Sequence, residues 1–482
     1  MTQHPLLQKT TQTLGVMLLV LAVPYTTPKL RKLRVVHAPW DPIEEDAVSQ
    51  APVVPPPVAT VGEQKIAQTE NNGTVTNALP QDTRTPIDAE DLAKAAGSVA
   101  IVDDSGAMGA FYKQLGHTIR GEPHAITRVL HYGDSVVASD LISGTMRRRM
   151  QEKFGDSGHG FILIANPWHW YYHNDVGHRA SEGWAMSRIT GPLAQDGMYG
   201  LGCVSFHTKE MANASFNTVV EGNFGNKVTR FDVYYLEQPG GGDFQLEVKD
   251  IPHVKVHTAG DAKVSKKASI DVPDGRASMT VRALGGGDVR MFGVVMERDV
   301  PGVQYDSLGA LGGRANLWGQ VNKDHWKEQM TLRDPSLVVL QYGTNESEDG
   351  SVNEPQYRKW VGDLIDAAKV AAPNASILVM APPDRAEKAE NGELRSSHVI
   401  VRIVELQEQI AKEHGVAFWN TWKAMGGKGS MGKWVKRGLA NADLTHPTPS
   451  ASVILGDLMF KAVLAGYDAY ASTHPDAPVI KK

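Results

Sequence analysis

Serine, histidine, aspartate, asparagine and closely spaced glycines recur in four short segments, and together they could do acyl-transfer chemistry. Gly133-Asp134-Ser135 sets a hydroxyl directly after the apolar run 126–132. Such a hydroxyl attacks an acyl carbon once a neighbouring base takes its proton. In Asp443-Leu444-Thr445-His446 the imidazole could be that base. The carboxylate three residues earlier could hold its tautomer and stabilise its charged form. In Asp306-Ser307-Leu308-Gly309-Ala310-Leu311-Gly312-Gly313 a glycine could let a backbone N–H approach a reacting oxygen. In Gly343-Thr344-Asn345-Glu346 the asparagine amide could donate to an oxyanion. Taken singly, each segment also reads as plain architecture: a glycine-rich turn, an Asx turn, or a capping aspartate beside a surface histidine.

Acyl-transfer chemistry needs the four segments held at one edge of a scaffold. Ser135 and Asn345 follow the runs 126–132 and 336–342, which read as strands ended by Gly133 and Gly343. Further strands are expected over 377–380 and 416–419, with helices over 136–154, 357–370, 399–414 and 450–469. Strands alternating with helices imply βαβ units and a parallel sheet. Open sheets of that kind place their sites at the carboxyl edge. From about 185 to 300 the pattern changes. Runs at 231–236, 244–248, 268–272, 279–283 and 290–296 are strand-like, and no helical period appears. Gly240-Gly241-Gly242, Asp274-Gly275 and Gly285-Gly286-Gly287 punctuate them as turns, which suggests an inserted antiparallel β-sandwich. Position separates Ser135 from its look-alikes. Gly155-Asp156-Ser157 ends a helical stretch and reads as a C-cap loop, and Asp103-Asp104-Ser105 is a lesser decoy.

In this order the four segments resemble the blocks of the SGNH (GDSL-type) hydrolase superfamily: G-D-S at 133–135, G-x-x-G at 309–312, G-x-N at 343–345 and D-x-x-H at 443–446. The resemblance implies an α/β fold. Its hydrolase domain would be a three-layer α/β/α, flavodoxin-like unit with a mostly parallel sheet, over 91–184 and 300–482. A jelly-roll-like antiparallel sandwich over 185–299 would interrupt it. The resemblance also implies Ser135 as nucleophile, His446 as general base and then acid, and Asp443 as the residue that orients it. The backbone N–H groups of Ser135 and Gly312 and the side-chain amide of Asn345 would form an oxyanion hole. Asp134 would be structural. Glu346 stands where many relatives have aspartate. A sandwich inserted between the first two blocks is similar to the bacterial peptidoglycan O-acetylesterases, whose insert resembles a carbohydrate-binding module. The expected substrate is therefore an acetylated polysaccharide, with no cofactor and no metal. Acetyl transfer onto a glycan, and glycan binding without catalysis, are the alternatives.

Other residues bear on substrate and location. Trp168-His169-Trp170-Tyr171-Tyr172-His173 is the most aromatic stretch. Trp168, Trp170 and Tyr171 could stack on sugar rings, with burial as the competing role. His159, His169, His173 and His178 lie among glycines and aromatics that do not read as one helix face, so a metal is not expected. Arg147, Arg148 and Arg149 read as a solvated helix face. Cys203 is the single cysteine and reads as a small buried hydrophobe. The 482 residues are 41% apolar with a net charge of −5, enough for a sizeable core and unlike a basic nucleic-acid binder. Residues 14–24 form a short uncharged apolar run, which fits a signal or membrane-anchor segment over 1–30. Proline-rich chain within 31–90 reads as an extended linker. The expected location is exported, in the periplasm or cell envelope, free or tethered by the N-terminus.

Overall fold

The computed structural model describes residues 99–168 and 171–480. The signal or anchor segment at 1–30, the linker at 31–90, and Trp170 lie outside the described residues. Five strands, β1 (Ile126–Gly133), β2 (Gly302–Gly309), β3 (Leu337–Gln341), β4 (Ser376–Met380) and β5 (Ala417–Trp419), pair in parallel in the order β2-β1-β3-β4-β5. This is the flavodoxin-like order of a doubly wound sheet.

Side chains alternate along a strand, so a sheet covered on both faces feeds two cores. Leu130, Tyr132, Val338, Leu340, Ile377, Val379 and Phe418 face one of them. The helices on that side are α4 (Lys323–Arg333), α5 (Glu354–Ala371) and α6 (His398–Glu413). Val129, Val339, Leu378, Met380 and Trp419 face the other. Its helices are α1 (Gly109–Ile119), α3 (Ile142–Phe154) and α7 (Pro449–Thr473). The result is the three-layer α/β/α arrangement. In α6, Val399, Ile403, Leu406 and Ile410 make the buried stripe, and the Ser397 hydroxyl caps the first turn by accepting from Val399 N.

The helical stretch after Ser135 is two helices rather than one. A short α2 (Ser135–Ala138) is separated from α3 by Asp140, which sits at φ +50°. The fully buried Asp140 carboxylate accepts from both Arg147 terminal nitrogens at 3.0 and 2.6 Å, from the Asn174 backbone N–H at 2.9 Å and from Ser143 Oγ at 3.2 Å. Arg147 is therefore buried at 1% exposure, not part of a solvated face. Arg148 pairs with Asp175 and Arg149 with Asp457. Asp140 lies two turns ahead of Arg147 in a helix break, where charge spacing along one helix does not look.

Two antiparallel sheets form the sandwich. One runs Val264–Gly275, Val228–Glu237, Val289–Glu297, Val204–Thr208, Ala185–Arg188, with Gly160–Leu163 also paired to Val289–Glu297. The other runs Gly177–Ala180, Met211–Asn217, Ser278–Gly285, Asp243–Val248, Val254–His257. Strands such as Met211–Asn217 and Ser278–Gly285 alternate buried and open positions, the pattern of a half-covered sheet. Gly160–Leu163 and Gly177–Ala180 precede residue 185, where the sequence reading opens the insert, so the sandwich sheets draw on chain from residue 160 onward. Each is only four residues long, too short to show a period. The glycine triplets are turns. A Cβ on Gly287 would lie 2.5 Å from the Gly241 carbonyl oxygen, because the two turns nearly touch.

One buried ion pair joins the two parts. Asp306 on β2 accepts from Arg333 Nε, at the end of α4, at 2.7 Å. The other Asp306 oxygen accepts from the Phe161 backbone N–H of the sandwich strand at 3.0 Å. Arg333 also donates to Gln304 at 2.9 Å.

Candidate active site

The carboxyl ends of β1, β2 and β3 meet at one place. Gly133 and Gly309 are register partners at the ends of β1 and β2. Asp134 caps α2, accepting from Val136 N at 3.0 Å, so Ser135 opens the helix. Its N–H is then among the helix donors that have no intrahelical acceptor. Gly309 is the floor beneath α2: a Cβ there would lie 2.1 Å from the Ala138 nitrogen. Only glycine lets β2 pass this close under the serine helix.

The chain 443–446 folds on its own aspartate. Asp443 Oδ1 accepts from the backbone N–H groups of Thr445 and His446 at 2.9 and 3.0 Å. Asp443 Oδ2 accepts from His446 Nδ1 at 2.8 Å. Since the carboxylate can only accept, Nδ1 carries the proton and Nε2 is left as acceptor. Ser135 Oγ donates to that Nε2 at 2.9 Å. Burial lowers the His446 pKa, but the hydrogen bond and charge of Asp443, with smaller effects from Asp134 and Glu348, outweigh it and raise the pKa above 6.5. Burial raises the Asp443 pKa, but the bonds from His446 and Thr445 hold the carboxyl below its usual range.

The other two segments flank this series. Gly312 is exposed at φ +74°, with open space where a Cβ would be. Asn345 Nδ2 donates to the Gly313 carbonyl at 2.9 Å. An amide nitrogen has two hydrogens, so one is left for another acceptor. Glu346 is buried and accepts from Ala315 N at 2.8 Å. Ser135 and His446 remain half-open to solvent. A recess of about 580 Å³ beside Asn166, Arg179 and Trp184, and one of about 230 Å³ beside Trp318, Trp326 and Trp360, are lined by neither Ser135 nor His446. The serine edge is open to solvent at Ser135, His446 and Gly312.

Of the two roles open to the aromatic stretch, its described members Trp168 and Tyr171 take burial. Trp168 and Tyr171 are buried, and the Tyr171 hydroxyl accepts from Leu163 N at 2.9 Å. They pack into the core that the sandwich shares with one face of the parallel sheet. Tyr172 is the exposed member at 43%, and its N–H donates to the Ala138 carbonyl at the end of α2. His159 Nε2 and His173 Nδ1 lie 3.0 Å apart, both buried, and His178 bonds the Ile164 carbonyl. Ser157 of the second G-D-S triplet is fully buried and donates to Val300 O, behind the Gly155 C-cap. Burial pushes the Cys203 thiol up to about 12, so no thiolate is available there.

A flavodoxin-like sheet with a serine, a histidine and an acid converging at its carboxyl edge defines the SGNH class of hydrolase fold. Residues 278–452 match the GDSL-like Lipase/Acylhydrolase family, so that part of the chain is similar to acylhydrolases of the GDSL type. Ser135 lies outside the matched segment and reaches the site through β1–β2 pairing. A solved structure titled as a peptidoglycan O-acetylesterase in action is similar over 77% of this chain and 99% of its own, with 20% identity and a TM-score of 0.66. A family two carbohydrate esterase from Clostridium thermocellum, in complex with cellohexaose, covers 60% of this chain and 100% of its own at 11% identity and a TM-score of 0.27. No curated protein sequence matches the chain.

Gly309→Ala is expected to lift α2 and lower esterase kcat by about 10- to 100-fold, since a displacement near 1 Å can cost about 100-fold. Steady-state kinetics beside a thermal melt check this. A loss of kcat with the protein still folded is the expected outcome.

Proposed function

We propose that this protein is a serine esterase that removes O-acetyl groups from a cell-envelope polysaccharide, peptidoglycan first among them. The observation that carries the reading is the bonded series from Ser135 Oγ through His446 to Asp443, flanked by Gly312 and Asn345. Ser135 Oγ attacks the acetyl carbonyl carbon while His446 Nε2 takes its proton. The tetrahedral oxyanion accepts from the N–H groups of Ser135 and Gly312 and from the second Asn345 amide hydrogen. The bond to the sugar oxygen then breaks, and His446 returns the proton to that oxygen. Water attacks the acetyl-serine as His446 takes its proton, and His446 returns that proton to Ser135 Oγ as the ester bond breaks and acetate leaves.

Three things support a polymer as substrate. The serine edge is open, so an ester can be reached without enclosing the chain that bears it. The solved structure that shares the fold over most of both chains is named as a peptidoglycan O-acetylesterase. The apolar run at 14–24 and the proline-rich chain within 31–90 fit delivery to the envelope. The test is acetate release from O-acetylated peptidoglycan, xylan and alginate, with phenylmethylsulfonyl fluoride labelling mapped by mass spectrometry. Release is expected to be greatest from peptidoglycan, with the adduct on Ser135. No release from any of the three, or an adduct elsewhere, overturns the reading. Acetylated product in excess of acetate when an oligosaccharide acceptor is added would make the enzyme a transferase instead.

A further inference from the structure

Asn345 and Glu346, adjacent in sequence, grip one loop with opposite polarity. Asn345 donates to the Gly313 carbonyl at 2.9 Å, and Glu346 Oε1 accepts from the Ala315 N–H at 2.8 Å. The gripped residues directly follow Gly312. Glu346 is 4% exposed, and its Oε2 has no hydrogen-bond partner among the described residues. Burying a carboxyl with one oxygen unpartnered is costly. A single backbone N–H could be satisfied by a smaller neutral side chain, so stability alone gives no reason for a carboxyl here.

We propose that Glu346 is a positioning residue for catalysis, fixing the loop so that the Gly312 N–H stands where the oxyanion forms. The inference rests on the esterase reading above and deepens it. Only geometry is needed for the grip, but charge sets when it works best. Burial pushes the Glu346 carboxyl up to about 7. The Ala315 and Glu346 backbone N–H groups oppose this, Asp134 adds to the rise and Arg314 lowers it. Asp134 faces it from the serine turn, Arg314 from the loop, and Tyr357 from α5. Above about pH 7 the ionised carboxylate, with Asp134, adds negative charge behind a developing oxyanion. The neutral carboxyl holds the loop without that opposition.

The experiment compares wild type, Glu346→Ala and Glu346→Gln on an acetyl ester from pH 6 to 9, with hydrogen exchange at the Ala315 amide and a thermal melt. Glu346→Ala is expected to lose about 10- to 100-fold in kcat with KM little changed, the size of a misplaced donor. Glu346→Gln keeps an accepting oxygen and is expected to recover most of that loss. It also cannot ionise, so the ratio of its kcat to that of wild type should rise as pH passes about 7. Exchange at Ala315 should quicken in the alanine variant and stay slow in the glutamine variant. Wild-type kcat in folded Glu346→Ala overturns the proposal, as does a loss confined to KM. If the alanine variant does not fold, the glutamine variant decides: a loss of about 10- to 100-fold in kcat with Ala315 exchange still slow overturns it. If wild type cleaves no ester, the esterase reading fails on its own. Exchange then decides the grip, and unchanged Ala315 protection in Glu346→Ala overturns it.

Discussion

Ser135→Ala and His446→Ala are each expected to lower kcat by about 10⁴- to 10⁶-fold while leaving the fold intact. Without Ser135 Oγ no acetyl-enzyme forms, and without His446 Nε2 its proton has nowhere to go. The two losses act on one step, so the double variant should be little worse than either single one. Circular dichroism should be unchanged, because Ser135 and His446 lie at a half-open edge and their loss leaves no core cavity. The pH profile adds a second readout. His446 must be neutral to accept the serine proton, and its pKa is raised chiefly by the Asp443 bond and charge acting against burial. Activity should therefore fall as pH drops through a value above 6.5. Asp443→Asn removes that support, so the acid limb should move to lower pH as kcat falls. Comparable kcat in Ser135→Ala and wild type would remove the serine from the mechanism.

Asp306→Ala is the change expected to cost most stability. It strips the nearest carboxylate from a fully buried Arg333, leaving it Gln304 and, at 3.9 Å, Glu297, and removes the acceptor of the Phe161 N–H. Removing one partner of a buried pair leaves an uncompensated charge and costs about 3–5 kcal/mol. Replacing both partners with apolar residues, as in Asp306→Leu with Arg333→Met, should cost less than either single change. Thermal or denaturant melts of the three proteins check this, and additive losses would exclude coupling between the pair. The effect should appear in stability rather than in kcat, because the pair lies at the joint with the sandwich strand and not at the carboxyl edge.

The sequence revealed what depends on chain order and left hidden what depends on backbone partners. Ser135 and Asn345 were legible because each follows an apolar run that must end at the sheet edge. His446 was legible because its acid is three residues away, within one turn. Four strands of the sheet followed from alternation of strand and helix; β2 was not read as a strand, because Gln304, Asp306 and Ser307 interrupt its apolar residues although all are buried. Glu346 gave no such signal, since its partner is the N–H of Ala315, which no residue type announces. Arg147 was misread because its aspartate sits in a helix break at φ +50° that no glycine marks. Trp168 and Tyr171 were left between sugar stacking and burial, because aromatic content alone does not say which face is covered; both are buried. Gly309 was legible only as the first glycine of the G-x-x-G pattern; that it lets β2 pass under the serine helix was not.

The insert's two ends are zipped together before they meet the parallel sheet. Arg298 N donates to Ser157 O at 2.8 Å, Val303 N donates to Gly155 O at 2.9 Å, and Gly160 is the register partner of Met296. Closing a flexible loop of this length between β1 and β2 would cost roughly 4 kcal/mol from its length alone. Here the sandwich's own pairing bears that entropy, and β2 arrives beside β1 already aimed. During synthesis β1 emerges long before its neighbours on either side, β2 and β3, so its edges stay unpaired until the sandwich has been made. In the finished fold the inserted module therefore acts as the jig that holds β2, and with it the loop at Gly312, in register with β1.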